Sequence, residues 1–257
     1  MNSLKLAGLI GYPLSHSFSR DYFTNKFHRE GIMDFSYLNF EIDSIHKIKS
    51  VITDHKNLIG LNVTIPYKQS VIPFLDQLSK QAEDIGAVNT ICIDRNEYHP
   101  RLIGHNTDGI GFNKSLDQFT DFFPKGALVL GSGGAARAVI YVLEKRGIRY
   151  LQVSRKPGGK KQTYKDIGAE MMNKYPLIIN TTPMGMFPNV EDKPDIPYNL
   201  LGPEHTLIDL IYNPSQTQFL KLGEKAAART MNGLPMLIAQ AEASWELWNK
   251  MGNGEQE

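Results

Sequence analysis

The segment from Ala127 to Arg155 constrains the fold more than any other part of the sequence. It reads ALVLGSGGAARAVIYVLEKRGIRYLQVSR, which predicts an apolar strand, a glycine-rich turn, a helix and a second strand. Gly131, Gly133 and Ala136 supply the G-x-G-x-x-G/A pattern directly after the first strand. The first glycine permits a tight turn, and the second lets the backbone approach a pyrophosphate at the helix N-terminus. The segment therefore predicts a Rossmann-type dinucleotide site, and the alternative is a tight turn that binds no ligand.

The choice of nucleotide depends on the residues that follow the second strand of this segment. An NAD site usually places an Asp or Glu about 20 residues beyond the glycines, where it holds the ribose 2′-hydroxyl. Between Arg149 and Lys165 the sequence has six Lys or Arg residues and no carboxylate. Ser154, Arg155 and Lys156 would meet a 2′-phosphate there, which favours NADP over NAD. A solvated basic loop is the alternative.

Apolar runs and amphipathic segments alternate along the 257 residues, which is typical of α/β folds with parallel sheets. Strands are predicted at LKLAGLIG, FSYLNFEI, LIGLNVTI, AVNTICID, ALVL, LIIN and TLIDLIY, and helices near residues 17–30, 79–85, 109–119, 134–146 and 236–248. The last helix is apolar and needs a partner, which the first domain can provide. We therefore expect a discontinuous α/β domain, residues 1–106 and 233–257, with a dinucleotide-binding domain, residues 107–232, inserted into it.

The composition excludes several classes of function. Lys and Arg total 28 against 27 Asp and Glu, so the net charge of +1 favours neither nucleic acid nor an anionic membrane as partner. The single cysteine, Cys92, can form no internal disulfide, which suits a reducing cytoplasm. No metal-ligand spacing occurs among the seven histidines, and no run of 18 apolar residues is present. We expect a cytoplasmic protein with a small-molecule substrate and no metal.

Polar side chains follow the predicted strands of the first domain. Ser17 and Ser19 lie at the start of the helix after the first strand, where two hydroxyls suit a carboxylate. Thr64 and Lys68 follow the third strand. Because open α/β sheets bind ligands outside the carboxyl ends of their strands, these side chains are candidates for a site. Helix capping by Ser17 and an ordinary surface charge on Lys68 are the alternatives.

Three further polar residues complete this set of candidates. Asn89 follows the short GAV segment, and Asp108 lies in NTDG, where the two predicted domains meet. Gln240 shares a helix face with Leu237 and Trp248, which predicts a buried amide that a bound substrate could satisfy. A turn amide for Asn89 and a helix N-cap for Asp108 are the alternatives.

Taken in order, eight segments resemble those of the shikimate dehydrogenases, NADP-dependent enzymes of aromatic amino acid biosynthesis. They are GYPLSHSFS, GLNVTIPYK, GAVNT, NTDGIGF, GSGGAARA, NTTPMGM, DLIYNP and NGLPMLIAQAEASWELW. The segments extend over nearly the whole chain. Their order and spacing are far more specific than the glycine pattern alone, and they agree with a discontinuous first domain.

The resemblance implies reversible hydride transfer between NADPH with 3-dehydroshikimate and NADP with shikimate. It implies that Lys68 and Asp108 are the catalytic pair. The implied substrate contacts are Ser17, Ser19, Thr64, Asn89, Tyr212 and Gln240. The implied pyrophosphate contacts are Gly131, Ser132, Gly133, Gly134 and Ala135. The remaining cofactor contacts are Ser154, Arg155 and Lys156 at the 2′-phosphate, with Leu210 and Gly233 beside the nicotinamide.

The implied chemistry gives the lysine of GLNVTIPYK a function. Hydride reduction of a ketone creates an alkoxide, and a positioned acid lowers the barrier by delivering a proton. Lys68 would be that acid, and Asp108 would orient it by a charge-assisted hydrogen bond. A quinate/shikimate dehydrogenase that uses NAD or broader substrates is one alternative. A nucleotide-responsive binding protein without turnover is the other, although Lys68 and Asp108 are both retained. A monomer and a homodimer both fit the sequence.

Overall fold

The computed structural model describes residues 4–14, 18–95, 99–119, 124–155 and 162–252. The fold is α/β, and the chain forms two compact units, each with its own sheet. Unit 1 comprises residues 1–107 and 241–257, and unit 2 comprises residues 108–240. Unit 2 is thus inserted into the sequence of unit 1. Of the helices that the described residues form, none is both long enough and apolar enough to cross a membrane.

Unit 1 is built on a six-stranded sheet with the strand order β2-β1-β3-β5-β6-β4. Its strands are β1 (Lys5–Gly11), β2 (Phe35–Glu41), β3 (Leu58–Val63), β4 (Gln77–Leu78), β5 (Thr90–Asp94) and β6 (Arg101–His105). Its helices are α1 (Phe18–Glu30), α2 (Ile48–Asp54) and α3 (Lys80–Ile85). Two more helices cross the division between the units in sequence, namely α4 (Thr107–Leu116) and α8 (Leu234–Gly252).

Strand β5 runs antiparallel to both of its neighbours, β3 and β6, whereas the other strand pairs of this sheet are parallel. The expectation of parallel sheets is therefore wrong for β5. Only residues 95–100 separate β5 from β6, too few for the crossover that parallel neighbours require. As a consequence, the start of β5 lies at the same edge of the sheet as the carboxyl end of β3.

Trp248 anchors the C-terminal helix α8 in the core of unit 1. Its ring is fully buried, and its centroid lies 5.6 Å from that of Phe23 on α1. The indole Nε1 donates a 3.1 Å hydrogen bond to the Ile91 carbonyl in β5. Gly60 in β3 leaves space for the indole, because a Cβ at this position would overlap it. The apolar face of α8 is therefore covered by α1 and by the sheet.

Unit 2 contains a parallel five-stranded sheet with the order β11-β10-β9-β7-β8. Its strands are β7 (Ala127–Leu130), β8 (Tyr150–Val153), β9 (Leu177–Asn180), β10 (Thr206–Asp209) and β11 (Arg229–Met231). Its other helices are α5 (Gly134–Lys145), α6 (Ala169–Lys174) and α7 (Gln218–Lys225). Every residue of the central strands β7 and β9 is buried, as expected for a sheet covered on both faces. Strands β7 and β8 with helix α5 form the predicted βαβ unit.

Candidate active site

Thr64 and Lys68 lie just beyond the carboxyl end of β3 in unit 1. The Thr64 N–H donates to the Ile10 carbonyl at 3.0 Å, so Thr64 lies beside the end of β1. The Lys68 carbonyl accepts a 2.7 Å hydrogen bond from the Val88 N–H, which fixes the backbone from which the amine extends. Lys68 is half-buried. Both residues occupy the sheet edge at which α/β proteins bind ligands.

Tyr67, the residue before Lys68, anchors the turn between β3 and Lys68. The Tyr67 ring is buried, and its hydroxyl donates a 2.6 Å hydrogen bond to the Ile42 carbonyl. The Tyr67 N–H in turn donates to the Thr64 carbonyl at 2.8 Å. The backbone between Thr64 and Lys68 is thus held at several points, which suits accurate placement of a reacting amine.

Asn89 lies at the start of β5 and, because that strand is antiparallel, at the same sheet edge as Thr64 and Lys68. Its carbonyl accepts a 2.8 Å hydrogen bond from the Val63 N–H. Its side chain is buried, with Oδ1 accepting from the Thr107 N–H at 2.6 Å and Nδ2 donating to the Thr107 hydroxyl at 2.9 Å. Asn89 is therefore an oriented, buried amide and not the amide of an exposed turn.

Ser19 lies in the first turn of α1 and is half-buried. Its side chain lies beside the hydroxyl of Tyr37, whose pKa is raised by burial. The loop before α1 is held at Leu14, whose N–H donates to Glu41 Oε2 at 2.8 Å. Ser17, the other predicted carboxylate contact, lies outside the described residues.

Asp108 and Gln240 are buried residues of unit 2. Helix α4 begins at Thr107, so Asp108 lies in the first helical turn and not at the N-cap position of the alternative. An acidic side chain in a first turn is stabilised by the helix dipole. Gln240 lies on α8, where its Nε2 donates to the Leu237 carbonyl at 2.9 Å. The exposed fractions of 4% for Asp108 and 8% for Gln240 restrict both side chains to few orientations.

The glycine-rich turn of unit 2 fits a pyrophosphate. Gly131 has a φ of +123°, and a Cβ there would overlap the Thr181 hydroxyl, so this position requires glycine. Gly133 is the N-cap residue of α5, and a Cβ added there would meet no described atom within 4 Å. Ser132 and Gly133 are exposed, and Gly134 and Ala135 follow in the first turn of the helix. The turn therefore presents accessible backbone N–H groups at a helix N-terminus, which is a preferred place for an anion.

The predicted 2′-phosphate contacts begin at the end of β8. The Ser154 side chain is largely buried, and its N–H donates to the Gln162 carbonyl at 3.0 Å. Arg155 is exposed. Strand β8 lies next to β7, and the Gly131 N–H donates to the Val153 carbonyl at 2.8 Å, so these residues adjoin the glycine-rich turn. Lys156 lies outside the described residues.

The predicted nicotinamide contacts Leu210 and Gly233 lie against each other in unit 2. The Gly233 N–H donates to the Ile211 carbonyl at 3.0 Å, and a Cβ on Gly233 would overlap the Leu210 carbonyl. The Leu210 N–H donates to the Asn180 carbonyl at 3.0 Å, which fixes Leu210 beyond the end of β9. Tyr212, a predicted substrate contact, follows two residues later and is half-buried.

Asp209 is a buried carboxyl group that the sequence analysis did not single out. Its oxygens accept hydrogen bonds from the Thr217 hydroxyl at 2.6 Å, the Asn180 amide at 3.0 Å and the Ile211 N–H at 3.0 Å. Burial raises the pKa of Asp209 to about 6, although these three hydrogen bonds oppose the rise. Asp209 thereby ties the end of β9 to the loop between β10 and α7. The sequence does contain a sign of this buried group, because Asp209 is the one charged residue in the apolar run TLIDLIY.

Comparison with known proteins connects these sites to one family. A model of the shikimate dehydrogenase substrate binding domain matches residues 9–91. A Methanococcus maripaludis protein named shikimate dehydrogenase (NADP(+)) is 39% identical over 262 residues, which cover 95% of this chain and 91% of the relative. The structure of shikimate dehydrogenase from Aquifex aeolicus matches with a TM-score of 0.84 at 32% identity and covers 98% of this chain and 97% of its own.

A second solved structure carries ligands. It is shikimate 5-dehydrogenase from Thermus thermophilus in complex with NADP(H) and shikimate, with a TM-score of 0.81 at 28% identity and coverage of 95% of this chain and 93% of its own. The similarity in sequence and in fold thus extends over nearly all of the chain. The protein belongs to the shikimate dehydrogenase family.

Proposed function

We propose that this protein catalyses the reversible NADPH-dependent reduction of 3-dehydroshikimate to shikimate, within chorismate and aromatic amino acid biosynthesis. The observation that carries the proposal is the convergence of Thr64, Lys68 and Asn89 at one edge of the unit 1 sheet. The segment after β3 supplies a hydroxyl and an amine there, and the segment before β5 supplies an amide, a set that suits a polyhydroxylated ring. The names and ligands of the relatives support the same substrate and cofactor.

We assign substrate binding and proton transfer to residues 1–106 and 233–257, and NADP binding to the inserted residues 107–232. The parallel sheet of unit 2, with its glycine-rich turn at the start of α5, is the arrangement that dinucleotides prefer. The mixed sheet of unit 1 has no such turn after a parallel strand among its described residues, and instead collects polar side chains at one edge.

Lys68 is the proposed general acid in the direction of reduction. NADPH, when bound, supplies the hydride. The Lys68 ammonium donates a proton to the oxygen on which negative charge develops, and its neutral amine accepts that proton in the oxidation of shikimate. Asp108 is the proposed carboxylate partner that orients the amine. The backbone hydrogen bonds at Thr64, Tyr67 and Lys68 support this role, because they fix the origin of the lysine side chain.

The proposed substrate contacts divide by chemistry. Ser17 and Ser19 donate to the substrate carboxylate, Ser19 from the first turn of α1. The contacts to the ring substituents and the pocket wall are Thr64, Asn89, Tyr212 and Gln240. Hydroxyl and amide groups of this kind discriminate strongly against analogues that lack a matching hydroxyl, because an unmatched analogue leaves buried polar groups unpaired.

The proposed NADP contacts follow the order of the cofactor. Gly131, Ser132, Gly133, Gly134 and Ala135 hold the pyrophosphate, and Leu210 and Gly233 lie beside the nicotinamide. Ser154, Arg155 and Lys156 bind the 2′-phosphate. The absence of a carboxylate between Arg149 and Lys165 supports NADP over NAD, since NAD sites use an acidic residue there.

Absorbance at 340 nm tests this proposal directly. The purified protein should reduce NADP when shikimate is added, and should oxidise NADPH when 3-dehydroshikimate is added. Parallel assays with quinate and with NAD separate a strict shikimate dehydrogenase from the broader quinate/shikimate alternative. Binding of NADP without turnover of any of these substrates would instead support the nucleotide-responsive binding protein.

We also propose a cytoplasmic location and a monomeric or homodimeric state. Cys92 is buried and is the only cysteine of the sequence, so no disulfide depends on an oxidising compartment. Fractionation of cells and light scattering of the purified protein test the two statements separately.

A further inference from the structure

A cluster of buried hydroxyl groups supports the Asn89 amide in unit 1. Thr90 Oγ1 lies 2.8 Å from Ser244 Oγ, and Thr107 Oγ1 lies 3.1 Å from each of these two atoms. The side chains of Thr90, Thr107 and Ser244 are completely buried. They belong to β5, to the start of α4 and to α8, so the cluster joins three elements behind the sheet edge that carries Asn89.

The orientation of the Asn89 amide is fixed by Thr107. The backbone N–H of Thr107 can only donate, and it faces Asn89 Oδ1 at 2.6 Å. The opposite end of the amide, Nδ2, must therefore donate to Thr107 Oγ1 at 2.9 Å. Because Oγ1 accepts this bond, its own hydrogen points toward Thr90 Oγ1 or Ser244 Oγ, each at 3.1 Å, or toward Asn89 Oδ1 at 3.2 Å. Thr107 thus hydrogen-bonds both ends of the Asn89 amide. The hydroxyls of Thr90 and Ser244 in turn lie within hydrogen-bond distance of the Thr107 hydroxyl.

The cluster extends through a second amide to the start of α1. Asn62 Nδ2 donates to Ser244 Oγ at 3.0 Å and to the Asn89 carbonyl at 3.3 Å. The other end of this amide, Asn62 Oδ1, accepts from the Tyr37 hydroxyl at 2.8 Å. The Tyr37 hydroxyl also lies beside the side chain of Ser19. The buried polar atoms that lack a partner in the described part of the chain belong to Asn39, His205 and Thr206, all outside this cluster.

We propose that Thr107 is a positioning residue for the substrate: its N–H and hydroxyl hold the Asn89 amide with Nδ2 as the donor end, supported by Thr90 and Ser244. The inference rests on the proposed function, in which Asn89 contacts the substrate. Thr107 itself is the residue before the proposed catalytic Asp108, yet its side chain is directed to Asn89. A fixed amide binds more tightly than a mobile one, because less rotational freedom is lost when the substrate arrives.

Substitution of Thr107 by an isostere tests the proposal. Thr107→Val keeps the shape of the side chain and removes the hydroxyl, so Asn89 Nδ2 loses its hydrogen bond to Thr107 Oγ1. We expect the KM for shikimate to rise about tenfold or more, on the usual scale for the loss of a buried hydrogen bond, with the KM for NADP unchanged. Thr107→Ser retains the hydroxyl and should restore the KM for shikimate to within about threefold of the wild-type value.

Two further variants control for stability and test the cluster. Ser115→Ala removes another buried hydroxyl, which donates to the Phe112 carbonyl at 2.8 Å and lies in unit 2. It should leave the KM for shikimate unchanged. Ser244→Ala should raise this KM by a smaller factor than Thr107→Val, and the double variant should be no worse than Thr107→Val alone, since both changes act through the same hydroxyl.

The outcomes distinguish this inference from the proposed function. If the wild-type enzyme is active and Thr107→Val has the same KM for shikimate, the inference is overturned and the proposed function stands. The same holds if Thr107→Ser is as impaired as Thr107→Val. If Thr107→Val does not fold, an unchanged KM in Ser244→Ala overturns the inference, and a raised one supports it. A folded wild-type protein that neither binds nor oxidises shikimate overturns the proposed function and this inference with it.

Discussion

The Trp248 indole lies directly against the backbone of Gly60, where a side chain would occupy the same space. We expect Gly60→Ala to reduce the free energy of unfolding of unit 1 by about 1–3 kcal/mol, the usual cost of forcing an extra methyl group into a packed core. Urea unfolding followed by tryptophan fluorescence measures this change.

Gly168→Ala is the matched control for this substitution. Gly168 has a φ of −121°, and a Cβ there would meet no described atom within 4 Å. Its free energy of unfolding should fall by less than that of Gly60→Ala, by at most about 1 kcal/mol, because Gly168 is the exposed N-cap residue of α6, where alanine is less favourable than glycine. Equal destabilisation by both alanines would show that the Trp248 contact is not the cause.

Lys68→Ala should lower kcat by roughly a hundredfold or more, the scale of general acid–base catalysis. The KM for NADPH should change little, because the proposed cofactor contacts belong to other segments. Steady-state rates in both directions measure the effect. Lys47→Ala, which removes an exposed lysine paired with Asp43 at 2.8 Å, should keep the wild-type kcat. Near-normal turnover of Lys68→Ala would rule out the proposed proton donor.

Arg155→Leu should raise the KM for NADP about tenfold and leave the KM for NAD unchanged, since only NADP carries the 2′-phosphate. Arg149→Leu removes the same charge at the opposite end of β8, where the residue is also exposed. It should affect neither cofactor. A parallel rise in both KM values on loss of Arg155 would assign it a general role instead of phosphate recognition.

Asp209 should make the stability of the protein fall as the pH rises from about 4 to about 6. The native Asp209 has a pKa of about 6, whereas the unfolded carboxyl group has the ordinary value of 3.8. Within this window the unfolded state releases a proton that the native state keeps, so unfolding becomes more favourable, by at most about 3 kcal/mol. Below pH 4 both states are protonated and the contribution is complete.

Urea unfolding at several pH values between 4 and 7 measures this slope, and Asp209→Asn should flatten it. The matched control is Asp54→Asn, which changes an exposed carboxylate at the end of α2 and should retain the wild-type slope. A slope that is identical in wild type and Asp209→Asn would contradict the assignment.

Local sequence patterns predicted the strands and helices that form because of their own residues and not because of pairing with a distant segment. The glycine pattern and flanking apolar runs gave β7, α5 and β8 correctly. Strand β6 was missed because RLIGH has one fully buried residue, Gly104, and is a strand through its pairing with β5. The run TLIDLIY was predicted as a strand to residue 212, whereas β10 ends at Asp209, whose carboxylate accepts from the Ile211 N–H two residues on and turns the chain.

The candidate site divides in the same way. Motifs resembling those of a family predicted Lys68 and Asn89 as site residues, and both lie at one edge of the unit 1 sheet. The contact between Asn89 and Thr107 could not be predicted, because it requires β5 to be antiparallel and its start to meet the end of β6. Apolar periodicity does not encode strand direction. Asn62 was a missed signal, since an amide within the buried run LIGLNV needs hydrogen-bond partners from elsewhere in the fold.

The division of unit 1 between two distant stretches of sequence has a consequence for synthesis on the ribosome. Residues 108–240 emerge before the part of α8 that carries Trp248, so Gly60 and Phe23 remain uncovered while the whole of unit 2 is translated. At about 5–20 residues per second this delay is on the order of ten seconds. A nascent chain at this stage has a complete unit 2 and an unfinished unit 1, and chaperones that recognise exposed aromatic surface have time to bind it.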